Sequence, residues 1–168
     1  AGTGKTLLCN KIVQELSSHN KKVLYICFNR SLSLNLRNIF NSYENLTVGT
    51  LHSFMESIVG SDKISTLPRN KAYFERDLPN LFQEVVLDTI ENEDLDNKFD
   101  ALIIDESQDI LSEDIIVYLF QLVKGGFENG TWFLSVDEEI QSEIYSRFEC
   151  DTLDKIKRNG NCVTRKLY

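Results

Sequence analysis

The sequence is poor in the patterns that build zinc sites and membrane spans. Its four cysteines form no C-x-x-C pair, and its two histidines stand at no zinc-like spacing. No apolar run approaches the ~20 residues of a membrane span, and the first residues lack the charged-then-apolar pattern of a signal peptide. We therefore expect buried, reduced thiols in a cytoplasmic protein.

Charge is unevenly spread along the chain. Residues 1–72 carry nine Lys/Arg against four Asp/Glu, whereas residues 73–168 carry nine against twenty-two, and the net charge is −8. The net charge alone speaks against a nucleic-acid partner. The basic first part could still meet a phosphate backbone while the acidic part faces elsewhere, so charge leaves both interpretations open.

Short apolar runs alternate with longer helical patterns. Such alternation is typical of a parallel sheet covered by helices on both faces, so the 168 residues predict one doubly wound α/β domain. The predicted strands are 23–28, 46–50, 101–105 and 131–136. The predicted helices are 5–18, 31–40, 51–58, 71–92 and 112–123, with a loop over 60–70.

The first residues, AGTGKT, match the end of the phosphate-binding loop pattern G-x-x-x-x-G-K-[ST]. Gly2 and Gly4 would let backbone N–H groups approach phosphate oxygens, next to the positive end of the following helix dipole. Lys5 would neutralise the β- and γ-phosphates, and Thr6 would offer its hydroxyl to Mg²⁺. A glycine turn that only caps a helix is the alternative.

A second stretch, FDALIIDESQD, is an apolar strand that ends in two carboxylates. Ligands gather beyond the carboxyl ends of parallel strands. Asp105 could therefore hold Mg²⁺, usually through water, and Glu106 could orient or deprotonate an attacking water. A solvated strand-to-helix turn is the alternative, but two adjacent acids at the end of a buried strand need a cation or solvent.

Together these motifs resemble those of UvrD/Rep-type superfamily 1 DNA helicases. DESQD is similar to the D-E-x-Q-D signature of that family, and four further stretches resemble its other motifs in the same order: AGTGKT, VLYICFNRSLSLNL, VGTLHSF and TWFLSVDEEIQSEIY. The resemblance covers nearly the whole chain but only one lobe of the helicase core. It implies a RecA-like phosphate-loop NTPase lobe that uses ATP and Mg²⁺, with a second lobe as its partner.

The resemblance also implies residue roles at the nucleotide. The implied catalytic residues are Lys5, Glu106 and Gln141. The implied nucleotide-binding residues are Gly2, Gly4, Lys5, Thr6 and Gln108, and the implied Mg²⁺ ligands are Thr6 and Asp105.

Single-stranded DNA is the polymer that the resemblance implies, although the residues do not distinguish DNA from RNA. The implied contacts are Phe28, Asn29, Arg30, Thr50, His52 and Phe54. Aromatic faces for bases and cationic or hydroxyl groups for phosphates agree with the physics of single-strand binding. Each also has a structural alternative: Phe28 in the core, His52 at a helix cap, Asn29 and Arg30 in an ordinary loop.

The sequence departs from the family pattern at three places. The G-D-x-x-Q motif has Val136 in place of its glycine and three residues between Asp137 and Gln141. The first loop glycine and the strand before it are not among the 168 residues, and neither is the arginine-bearing second lobe. We therefore expect a partial lobe, truncated at both ends and lacking its first strand, with little or no ATPase activity by itself.

Two other interpretations remain open at this point. The chain could belong to a phosphate-loop ATPase of signalling or defence type that does not unwind DNA. It could also be a non-catalytic scaffold derived from the same fold, for which the altered spacing of Asp137 and Gln141 is the only support.

Overall fold

A four-stranded parallel sheet forms the centre of the protein. The structure is a computed structural model, and it describes residues 4–91, 98–107 and 113–136 together with residues 155, 156, 158 and 163. The strands follow the order β2 (Leu46–Gly49), β1 (Val23–Cys27), β3 (Ala101–Asp105) and β4 (Thr131–Leu134), and every neighbouring pair is parallel. The predicted α/β class is confirmed, and the sheet is that of a RecA-like phosphate-loop lobe.

Helices connect the strands. In chain order they are α1 (Lys5–Ser18), α2 (Arg30–Ile39), α3 (Leu51–Val59), α4 (Ser61–Ile64), a π-helical turn (Tyr73–Asp77) that runs into α5 (Leu78–Glu91), α6 (Glu113–Gln121) and α7 (Gly126–Asn129). Within the ranges described, no helix is both long enough and apolar enough to cross a membrane.

The central strand β1 divides the core into two layers, because successive side chains of a strand point to opposite faces. Tyr25 and Cys27 pack with the inward residues of α1 and α2 on one face. Leu24 and Ile26 pack with α3, α5 and α6 on the other face. Every residue of β1 and β3 is buried, which is why both strands are continuous apolar runs.

Two strands end one residue earlier than predicted, because the residues that follow them cap helices. The Asn29 side chain accepts a hydrogen bond from the Ser31 amide at 2.7 Å, so α2 begins at Arg30. The Thr50 side chain accepts from the Ser53 amide at 3.3 Å, so β2 ends at Gly49. Side-chain caps satisfy amides that a helix leaves without partners.

Other elements also differ from the prediction. The expected loop over 60–70 contains the one-turn helix α4, which buries none of its side chains and therefore leaves no apolar periodicity in the sequence. The expected helix over 71–92 contains the π-helical turn Tyr73–Asp77. The last strand is also shorter than predicted, since β4 ends at Leu134.

Asp100 joins the amino ends of β1 and β3. Its carboxylate accepts hydrogen bonds from the Lys22 amide at 2.7 Å and from the Lys124 ammonium at 2.9 Å. Both bonds lower the pKa of Asp100 below its ordinary value of 3.8, and the bond from Lys124 has the larger effect. A lowered pKa contributes stability that is present above 3.8 and is lost as the pH falls through the value in the folded state.

We predict that Asp100→Asn lowers the free energy of unfolding by about 1 kcal/mol at pH 7, because the amide keeps an acceptor but loses the charge. The difference from the unchanged chain should shrink as the pH falls below 3.8. Urea unfolding from pH 7 to pH 3 measures it, with exposed Glu44→Gln as the control. A difference that does not change with pH would contradict this account.

Candidate nucleotide-binding site

The start of α1 meets the end of β3. The Thr6 hydroxyl donates a hydrogen bond of 2.6 Å to Oδ2 of Asp105, 99 positions further along the chain. This contact lies at the carboxyl ends of the strands, because Asp105 is the last residue of β3. Helix α1 packs against the face of the sheet formed by Tyr25 and Cys27. The two predicted Mg²⁺ ligands are therefore neighbours.

The amino end of α1 has the geometry of an anion site. Gly4 precedes the helix with φ 81°, a left-handed conformation that favours glycine, and its side-chain position faces open space. Among the described residues, no side chain caps this helix end. The first-turn amides and the positive end of the helix dipole can therefore face a bound phosphate, with Lys5 as the first helical residue.

The carboxylate of Asp105 is fully buried and held on both sides. The Ser135 hydroxyl donates to Oδ1 at 2.5 Å, while the Thr6 hydroxyl occupies Oδ2. Hydroxyl and carboxylate oxygens are the donors that Mg²⁺ prefers. The described residues contain no cluster of three or more His, Cys, Asp or Glu that could hold a metal. A Mg²⁺ ion at Thr6 and Asp105 would therefore keep waters and phosphate oxygens as its other ligands, as Mg²⁺ usually does.

Glu106 stands directly after this carboxylate in a strained conformation. Its φ is 53°, which is uncommon for a residue other than glycine, and its side chain is half-buried. Strain of this kind clusters at functional sites when the surroundings hold it in place. The conformation turns the chain sharply at the end of β3, beside the candidate Mg²⁺ ligands.

Ser135 holds that turn, although no sequence motif singles it out. Its Oγ accepts from the Glu106 amide at 3.1 Å while donating to Asp105. Its carbonyl accepts from both the amide and the hydroxyl of Ser107, at 2.9 and 2.8 Å. The only available signal was its position at the end of β4, one strand away from Asp105 in the sheet.

Neutral polar groups lie beneath Asp105. Burial, together with the nearby Asp105 carboxylate, raises the pKa of the Cys9 thiol, and burial raises the pKa of Cys27 to about 11. Burial also raises the pKa of Tyr25, whose hydroxyl donates to Asn10 at 3.1 Å. Cys9 and Cys27 are buried free thiols, as expected, and the raised pKa values keep them uncharged and unreactive at neutral pH.

Most of the predicted nucleic-acid contacts lie at the same sheet edge. Phe28 follows β1 with 55% of its surface exposed, and Arg30 is exposed at the start of α2. His52 is exposed in the first turn of α3, directly after β2. Asn29 and Thr50 stand beside them, but both already cap helices.

The structure excludes Phe54 from the predicted nucleic-acid contacts. It is 3% exposed, and its ring packs edge-on against Phe82 and Phe99, with centroids 6.1 Å away in each case. It is therefore a core residue that cannot stack on a base. Gly2, Gln108 and Gln141, also predicted for the site, lie outside the described residues.

The parallel sheet, together with the contact between Thr6 and Asp105 at the carboxyl ends of its strands, defines an α/β lobe of the phosphate-loop NTPase class. A family model described as "Type III restriction enzyme, res subunit" matches residues 1–124. The chain therefore belongs to this family, whose model represents the N-terminal ATPase lobe of helicase superfamilies 1 and 2. No curated protein and no solved structure matches the chain.

We predict that Ser135→Ala destabilises the protein by about 1–3 kcal/mol, because the Asp105 carboxylate and the Glu106 amide each lose a partner. Ser135→Thr keeps the hydroxyl and should recover much of the loss. Urea unfolding provides the measurement. Ser57→Ala is the control, since its hydroxyl bonds only within its own helix, to the Phe54 carbonyl. Equal effects of the two alanine changes would refute the role given to Ser135.

Proposed function

We propose that the chain binds Mg·ATP where α1 meets β3, as the ATPase lobe of a UvrD/Rep-type DNA helicase or translocase. Hydrolysis would then be coupled to movement along single-stranded DNA, in the cytoplasm and with a second lobe closing over the nucleotide. The observation that carries the proposal is the 2.6 Å hydrogen bond between Thr6 and Asp105. It joins the two motifs expected to share one Mg²⁺ ion, at the end of a helix suited to phosphate.

The proposed chemistry is transfer of the γ-phosphoryl group to water, which yields ADP and inorganic phosphate. Lys5 and the first-turn amides of α1 would hold the phosphate oxygens, and Thr6 with Asp105 would hold the Mg²⁺ ion. Bound there, Mg²⁺ would neutralise charge on the β- and γ-phosphates. Glu106 would orient the attacking water and accept its proton.

Gln108 and Gln141 would complete this site according to the motif resemblance, with Gln108 near the γ-phosphate and Gln141 as the residue that senses it. The second lobe would supply arginines that stabilise charge on the transferring group, a contribution worth about 10³–10⁵ in rate.

The path of the single-stranded nucleic acid, called the strand path below, would run across the carboxyl ends of β1 and β2. These neighbouring strands carry Phe28, Arg30 and His52 at their carboxyl ends, and β1 also pairs with β3. Exposed aromatic rings and exposed cations are the groups with which proteins bind single-stranded nucleic acid. Because β1 carries part of the strand path and pairs directly with β3, a small shift at one site has a short route to the other.

An ATPase that does not act on nucleic acid is the second candidate. Three of the six predicted contacts have structural roles here: Asn29 and Thr50 cap helices, and Phe54 belongs to the core. Polynucleotide stimulation of ATP hydrolysis by the natural protein that contains this lobe separates the two candidates. Stimulation supports the helicase proposal, and hydrolysis that ignores single strands supports the second candidate.

We predict that Lys5→Ala weakens Mg·ATP binding by about 10-fold or more, because it removes a charged partner of the phosphates. Thr6→Val should weaken binding more in Mg²⁺ than in EDTA, since it removes a proposed metal ligand. It also removes the hydrogen bond to Asp105, a loss that both conditions share. Titration of a fluorescent ATP analogue, with and without EDTA, measures both effects.

The matched control is Lys11→Ala, an exposed lysine on the same helix. It should bind Mg·ATP like the unchanged chain. Equal losses in Lys5→Ala and Lys11→Ala, or no loss in either, would rule out the proposed site.

A further inference from the structure

His52, one of the predicted contacts on the strand path, forms an aromatic pair with Phe74, which is not among those contacts. The rings of His52 and Phe74 meet edge-on, with centroids 5.1 Å apart and planes at 76°. His52 lies in the first turn of α3 and is exposed, while Phe74 is 36% exposed although it is a large apolar residue. Phe74 lies between the VGTLHSF and DESQD motifs, twenty positions after Phe54, and belongs to neither.

The Phe74 ring is held from behind as well as from the side. Tyr73 is fully buried, and its ring meets that of Phe74 edge-on at 4.8 Å. The Tyr73 hydroxyl donates to Glu56 at 2.9 Å, and Arg69 forms an ion pair with the same carboxylate at 3.1 Å. Phe74 therefore lies at the surface with its ring packed edge-on against two neighbouring rings.

The backbone around Phe74 is irregular. Tyr73–Asp77 is a π-helical turn between regular helical segments. Such turns are rare in proteins, and many of those that occur are found at functional sites. The turn contains two adjacent aromatic residues. Tyr73 is fully buried, and Phe74 lies at the surface.

The pair lies on the same edge as Phe28. Strands β1 and β2 are parallel neighbours with Ile26 in register with Gly49, so Phe28 and His52 leave the sheet at adjacent strand ends. Neighbouring strands are about 4.8 Å apart, a spacing that successive unstacked nucleotides can bridge. Exposed aromatic side chains therefore follow two neighbouring strands: Phe28 after β1, and His52, in contact with Phe74, after β2.

We propose that the Phe74 ring, with His52 packed edge-on against it, forms a base-stacking platform for single-stranded nucleic acid. The platform extends the strand path past Phe28 and rests on the proposed function. Phe74 offers a π face, which suits any base and needs no hydrogen-bond code. Exposed Lys63 lies between His52 and Phe74 in the sequence, and exposed Lys71, which forms an ion pair with Glu75 at 3.9 Å, stands three residues before Phe74.

The experiment uses the whole natural protein and two labelled 12-mers, oligo-dT and an abasic strand with the same number of phosphates. Phe74→Ala should weaken oligo-dT binding by about 5- to 100-fold and leave abasic-strand binding unchanged. Phe74→Tyr should bind oligo-dT normally, whereas Phe74→Leu should not, since it keeps bulk but loses the π face. An oligo-U arm tests whether the platform accepts RNA.

Salt titration provides a second readout. Phe74→Ala should keep the slope of log K against log salt concentration, because no phosphate contact is lost. Arg30→Ala should reduce that slope by about 1, as expected for one phosphate contact. The control for losing an exposed apolar group is Leu87→Ala, 46% exposed on α5, which should leave all binding unchanged.

The outcomes separate this inference from the proposed function. If the unchanged protein binds neither strand, both are wrong. If it binds oligo-dT and Phe74→Ala or Phe74→Leu binds it equally well, the platform alone is wrong. If Phe74→Ala does not fold, the comparison of Phe74→Tyr with Phe74→Leu decides, because both keep a large side chain.

Discussion

The buried carboxylate of Asp105 is the constraint on which the rest of the site depends. A carboxylate removed from water must be hydrogen-bonded or paired with a cation. Here two hydroxyls, from Thr6 and Ser135, satisfy its two oxygens and thereby fix the start of α1 and the end of β4 against the end of β3. Both donors are neutral hydroxyl groups rather than cationic side chains.

The parallel sheet brings the two halves of the proposed function to one edge. All four strands run in the same direction, so their carboxyl ends collect residues from distant parts of the sequence. Asp105 and Glu106 lie at the end of β3, and Phe28 and His52 lie at the ends of β1 and β2. Nucleotide and strand would thus contact the same rigid sheet, which is a physical basis for coupling them.

The sequence predicted the parts of the fold that depend on local pattern. The bounds of α1 and β3 agree with the prediction, since a glycine turn precedes one and the other is an unbroken apolar run. Long-range packing decided what the pattern could not show. Phe28 and Phe54 are both aromatic residues in motifs, yet one is exposed and the other meets Phe82 and Phe99 in the core. No local pattern identifies the role of Ser135, because its partners are about thirty positions away.

Metal-directed cleavage tests the central claim most directly. Fe²⁺ replaces Mg²⁺ beside a bound ATP analogue, and ascorbate with peroxide then generates radicals that cut the backbone next to the ion. The account predicts nucleotide-dependent cuts at two separate stretches, residues 4–7 and 104–107, both suppressed by excess Mg²⁺. Nucleotide-dependent cuts elsewhere with none at these two stretches, or no nucleotide-dependent cut at all, would contradict it.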